Sequence, residues 1–288
     1  MKVVRSSVLG FCMGVRRAVE LAFAEADNSG GRRVLALGSL VHNPKVSADL
    51  KSRGVEIVEQ LPQNLENCSV IIRAHGISPA IEEKLRGCGC RIVDATCPKV
   101  KASQMKAMEL SRAGYSLFLA GEEKHAEIAG ILGYAQEGGA SFCVTAGSAA
   151  EAEAAASKLY ETNKDAKAAL LGQTTISEKE YLAIASAIKN FFPNLEIVQT
   201  ICDATTSRQE ALREMLNQVE AVIIAGGKES ANTCRLLAIA QESGKPCVIA
   251  EKPSDVPLTF HIYGTVGICA GASTPDSVIN EIELEILR

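Results

Sequence analysis

No apolar run in this chain approaches the eighteen or so residues that a membrane-spanning helix requires, so a helical membrane protein is excluded. Nor is there a low-complexity tract or a Pro/Gly/Ser-rich linker, and 47% hydrophobic with 22% charged residues is the composition of a packed globular protein. Positive charge is not in excess: 30 Lys and Arg stand against 34 Asp and Glu, a net charge of -4. Nucleic acid and anionic lipid are therefore not expected as partners. The start, Met1-Lys2-Val3-Val4-Arg5, has neither the apolar core nor the cleavage site of a signal peptide, so the cytoplasm is the expected location. A G-x-G-x-x-G fingerprint is missing, which argues against a resident NAD or flavin. Histidine is scarce, with four in 288 residues.

Cysteine, by contrast, is plentiful. Ten cysteines in a leaderless chain favour metal or redox chemistry over a disulfide framework. Cys68, Cys143, Cys247 and Cys269 lie in or beside strand-like runs and read as small buried hydrophobes; Cys234 reads as helix core, and Cys88-Gly89-Cys90 is a weak metal clip without a second pair. Three remain, each where an apolar stretch gives way to a helix: Cys12 in Gly10-Phe11-Cys12-Met13-Gly14, Cys97 in Asp94-Ala95-Thr96-Cys97-Pro98, and Cys202 in Cys202-Asp203-Ala204-Thr205-Thr206. They suggest one convergent reaction centre.

Continuously apolar runs at Val34–Leu37, Val70–Ile72, Leu117–Ala120, Ala168–Leu171, Ala221–Ala225 and Thr265–Cys269 read as strands buried on both faces of parallel sheets. Helix starts follow them. Asn43-Pro44, Ser78-Pro79, Thr96-Cys97-Pro98 and Thr274-Pro275 pair a capping residue with a proline, and Ser177 to Glu180 and Ser207 to Glu210 fit the capping-box pattern. This is alternating α/β architecture, in which the turns leaving the carboxyl ends of the strands form the binding crevice.

His42, His75 and His125 all fall in such turns, whereas His261 does not. One of them alone would more often be a turn hydrogen-bonder; three in equivalent places point to a shared task. Gln173-Thr174-Thr175, Ser230-Ala231-Asn232-Thr233 and Gly271-Ala272-Ser273-Thr274 read as helix starts, where free N–H groups favour an anion such as phosphate or diphosphate, although each could equally be a simple cap. Glu127, two residues after His125, is a candidate proton donor if burial raises its pKa. The three cysteines lack the local spacing of a structural zinc site or of the usual iron-sulfur signatures. From spacing alone a cluster is the minority reading, made attractive because three thiolates would leave one iron open as a Lewis acid. A zinc hydrolase built on the histidines and Glu127, or a non-catalytic iron-sulfur sensor, are the alternatives.

These blocks, in this order over nearly the whole chain, resemble the 4-hydroxy-3-methylbut-2-enyl diphosphate reductase family of the non-mevalonate isoprenoid pathway. The resemblance implies a pseudo-threefold trefoil of three α/β domains with small, mainly parallel sheets, at 14–96, 97–196, and 197–288 together with 1–13. It implies a central 4Fe-4S cluster held by Cys12, Cys97 and Cys202, and diphosphate contacts from His42, His75, His125, Ser230, Asn232 and Ser273. Glu127 becomes the proton donor and Thr174 its partner. The implied reaction is reductive loss of the allylic hydroxyl as water, giving isopentenyl and dimethylallyl diphosphates, with a ferredoxin or flavodoxin as electron donor and a monomer as the working form.

Overall fold

The computed structural model describes residues Met1–Arg288. In chain order the first elements are β1 (Lys2–Arg5), α1 (Met13–Asp27), β2 (Arg33–Leu37), α2 (Pro44–Ser52), β3 (Val55–Val58), β4 (Cys68–Ile72), α3 (Pro79–Gly87) and β5 (Arg91–Asp94). Then come α4 (Pro98–Arg112), β6 (Ser116–Ala120), α5 (Ala126–Glu137), β7 (Cys143–Ala146), α6 (Ala149–Thr162), β8 (Ala168–Gly172), α7 (Glu178–Lys189) and β9 (Glu196–Ile197). The last are α8 (Asp203–Leu216), β10 (Ala221–Ala225), α9 (Ala231–Glu242), β11 (Cys247–Ala250), β12 (Thr265–Ala270) and α10 (Asp276–Ile286), with two short 3-10 turns before β12.

The strands form three four-stranded sheets with the orders β1-β12-β10-β11, β5-β4-β2-β3 and β9-β8-β6-β7, and every pairing is parallel. One arrangement is thus used three times. The six apolar runs read from sequence are the six inner strands. β4, β6, β8 and β10 are buried at every position, because neighbouring strands and helices on both faces leave them no contact with water.

Most helix starts lie where the sequence places them. Asn43 caps α2 by accepting from the N–H groups of Lys45 and Val46, and Ser177 and Glu180 form a complete capping box on α7. Five expectations need correction. Ser207 caps nothing: it lies inside α8, which begins at Cys202-Asp203 and turns Thr205, Arg208, Gln209 and Leu212 inward. α4 is capped by Cys97 rather than Thr96, and α10 starts after Pro275. Gln173 to Thr175 and Gly271 to Thr274 occupy turns that precede α7 and α10 instead of the helix starts themselves. Cys234 is exposed, its thiol donating to the Lys228 carbonyl at 3.0 Å, and is not core.

Candidate active site

Nine strand-to-helix connections converge on one cavity of about 110 Å³. It is lined by Cys12, His42, His75, Cys97, His125, Glu127, Thr174, Cys202, Ser230, Asn232 and Ser273, whereas Gln173, Thr233, Gly271 and Thr274 from the same turns do not line it. Each sheet contributes by the same rule. The edge strands β1, β5 and β9 lead to Cys12, Cys97 and Cys202. The two strands beside each edge lead to Ser273 and the Ser230/Asn232 pair, to His75 and His42, and to Thr174 and the His125/Glu127 pair.

Each of the three cysteines is the N-cap of a helix, in extended backbone conformation and with no side-chain capping bond. Their sulfurs therefore make no capping bond and stand at the starts of α1, α4 and α8. Backbone bonds fix their positions: Cys12 N–H donates to Ala272, Cys97 N–H to Ala74 and Cys202 N–H to Thr174, at 3.1, 2.9 and 3.0 Å. α1 approaches so closely that a Cβ added to Gly14 would meet the Cys97 sulfur at 2.5 Å. Burial pushes the Cys97 thiol up, and Cys12 and Cys202 act on it in the same direction. Three free sulfurs facing one cavity match the donor set of an iron-sulfur centre better than that of zinc in a four-ligand cage.

The imidazoles of His42, His75 and His125 pack with ring centroids 4.8, 5.9 and 5.2 Å apart. Burial lowers the pKa of all three, reinforced by Arg73 and, at His75 and His125, by neighbouring imidazoles; His125 falls to about 4, so the rings are neutral at neutral pH. His125 Nδ1 accepts the Glu127 N–H at 3.2 Å, which leaves Nε2 to carry its proton. Ser230 caps α9, and Ser273 Oγ donates to the His42 carbonyl at 3.2 Å. Both polar atoms of the Asn232 amide and Nδ1 of His75 are buried without a protein partner, a costly arrangement unless a ligand uses them.

Glu127 is 1% exposed. Its carboxylate accepts the N–H of Thr174 at 2.7 Å and the hydroxyl at 2.9 Å. Burial outweighs those two bonds and raises its pKa to about 7. Glu122 and Glu123, on the same loop, are exposed.

Sequence reasoning passed over Lys99, Thr205 and Arg208. Lys99 lines the cavity two residues after Cys97 and reaches Asp203 at 3.1 Å, joining the starts of α4 and α8. Thr205 Oγ1 donates to the Thr174 carbonyl at 3.1 Å. Arg208 lies on the buried face of α8; a charge recurring with Thr205, Gln209 and Leu212 was the available signal.

The LytB protein family model matches residues 3–287. The 4-hydroxy-3-methylbut-2-enyl diphosphate reductase of Treponema denticola is 39% identical, with all of both chains covered, and that of Aquifex aeolicus is 37% identical, covering 96% of this chain and 93% of that one. A solved structure of (E)-4-hydroxy-3-methyl-but-2-enyl diphosphate reductase, the terminal enzyme of the non-mevalonate pathway, is 35% identical with a TM-score of 0.73, covering 100% of this chain and 99% of that one. The Plasmodium falciparum reductase structure is 25% identical with a TM-score of 0.90, covering 98% and 87%. No helix of the chain is long and apolar enough to cross a membrane. With a family match over nearly its whole length and relatives of this identity, the chain belongs to the LytB protein family.

Proposed function

We propose that this chain is a 4-hydroxy-3-methylbut-2-enyl diphosphate reductase, which takes up two electrons and two protons and releases the allylic hydroxyl as water, yielding isopentenyl and dimethylallyl diphosphates. The observation that carries this reading is the meeting of three free thiols, three neutral imidazoles and a carboxyl of raised pKa in one cavity. Cys12, Cys97 and Cys202 would hold a 4Fe-4S cluster, one sulfur from each sheet. When bound, that cluster supplies the electrons and a Lewis-acid iron.

The remaining work falls to the chain's own groups. His42, His75 and His125 present ring N–H donors to the diphosphate, joined by Ser230, Ser273 and the amide of Asn232. Asn232 Nδ2 and His75 Nδ1, buried without protein partners, acquire them by donating to the diphosphate on binding. Glu127, whose raised pKa of about 7 lets it keep a proton up to the neutral range, delivers that proton to the leaving hydroxyl, and Thr174 fixes its orientation through two hydrogen bonds. The apolar lining from Val15, Val41, Ala74 and Val100 keeps water from the reacting carbons.

Electrons come from a one-electron carrier of the ferredoxin or flavodoxin kind, the working form is a monomer in the cytoplasm, and the three units divide at 14–96, 97–196, and 197–288 with 1–13. Anaerobic reconstitution followed by assay with a reduced carrier and 4-hydroxy-3-methylbut-2-enyl diphosphate tests the reading. Formation of the two isoprenoid diphosphates is expected; a reconstituted protein that leaves this substrate unchanged would refute it.

A further inference from the structure

Arg208 is a cation in a place that should not tolerate one. The residue is 2% exposed, and no Asp or Glu lies within salt-bridge distance of its guanidinium. Its Nη2 donates to the Gly10 carbonyl at 2.7 Å and its Nη1 to the Ala204 carbonyl at 3.0 Å, while Nε is buried and unpartnered. Gly10 lies two residues before Cys12, and Ala204 two residues after Cys202. The groups acting on Arg208 to favour its charge are the thiols of Cys12, Cys269 and Cys202. Arginine stays protonated in proteins, so burial here demands an anion nearby.

We propose that Arg208 is the resident counter-charge of the iron-sulfur centre, tying the first turn of α8, which follows Cys202, to the loop before Cys12 and setting the potential at which the centre accepts an electron. This rests on the cluster reading above. A thiolate-held cluster bears net negative charge, and at short range in a medium of low dielectric one fixed positive charge stabilises each added electron. On reduction one electron enters from a one-electron carrier of the ferredoxin class and the cluster's charge falls by one unit. No bond at Arg208 forms or breaks, and its proton stays in place. Arg208 is therefore a positioning and charge-compensating residue, and it makes no contact with the substrate-binding histidines through any of its hydrogen bonds.

The test is a redox titration of the anaerobically reconstituted full chain, followed by electron paramagnetic resonance, for wild type, Arg208→Gln, Arg208→Lys and Ser6→Asp. Ser6 is buried and bonds the Cys269 thiol, on which Arg208 also acts, so an aspartate there would put a negative charge into the same buried region without removing Arg208. Arg208→Gln should make reduction harder by at least tenfold in the one-electron equilibrium, about 59 mV. Arg208→Lys should stay near wild type despite losing the forked donation, and Ser6→Asp should shift in the same direction as Gln. A potential unchanged in Arg208→Gln, or shifted equally in the Lys and Gln variants, overturns the proposal. If Arg208→Gln does not fold, Arg208→Met, which keeps an unbranched stem without the charge, takes its place: a lowered potential supports the counter-charge and an unaltered one overturns it. Wild-type protein that takes up no iron and sulfide would instead sink the cluster reading, and this inference with it.

Discussion

The Glu127 carboxylate accepts both the backbone N–H and the hydroxyl of Thr174, at 2.7 and 2.9 Å, and still has its pKa raised to about 7. Two donors normally hold a carboxylate in its charged form, so the desolvation that overrides them is large. The pairing joins the first turn of α5 to the turn before α7, and it sets the carboxyl's direction as well as its proton affinity.

Glu127→Gln should keep the geometry and lose the proton. Substrate binding is expected to persist while turnover falls by about 10²-fold or more. Steady-state kinetics beside direct binding of substrate checks this, and undiminished turnover would remove Glu127 from proton delivery. In the wild type, turnover should decline as pH rises through about 7, and the Gln variant should lack that limb.

Folding stability should carry the same groups with opposite signs. Between about 4.5 and 7 the folded chain keeps a proton on Glu127 that the unfolded chain has lost, so this contribution declines as pH rises across that window. His125 behaves in reverse: between about 4 and 6.5 the unfolded chain takes up a proton that the folded one refuses, so its contribution is present above 6.5 and lost as pH falls. Urea unfolding of cluster-free Glu127→Gln should therefore show stability rising more steeply from pH 4.5 to 6.5 than in wild type. Parallel curves would contradict the elevated carboxyl pKa.

Anion binding should draw protons in. A diphosphate beside His42, His75 and His125 favours their charged forms and raises pKa values that burial has lowered. Calorimetry of inorganic diphosphate in buffers of different ionisation enthalpy should reveal proton uptake near pH 6. Heats independent of buffer would place the anion elsewhere.

Asn232 separates function from stability. Its amide is buried without a protein partner, so Asn232→Ala should leave the unliganded fold as stable or more stable while weakening substrate binding by about 1–3 kcal/mol. Thermal melts beside a binding isotherm would show the two changes moving apart; loss of stability with unaltered affinity would make Asn232 structural.

Much of the fold was legible because inner strands, covered on both faces, must be apolar throughout. Edge strands such as β5, with Arg91 and Asp94 exposed at its ends, carry no such run and were passed over. The eleven cavity residues were legible as unusual polar groups in equivalent turns, which suggested one convergent centre, while the cluster and the individual roles came from the resemblance. Ser207 misled because its S-x-x-E pattern is as compatible with the interior of α8 as with a start. Arg208 was missed because a buried arginine is rare and its partners, the carbonyls of Gly10 and Ala204, include one 198 residues away.

The convergence of Cys12, Cys97 and Cys202 is tested most directly by iron and acid-labile sulfide analysis of anaerobically reconstituted wild type beside the three single Cys→Ser variants. About four irons and four sulfides per wild-type chain are expected, with each variant losing most of both. Full, stable loading in any one of the variants, or a wild type that binds zinc in place of iron, would contradict a centre held jointly by the three sulfurs.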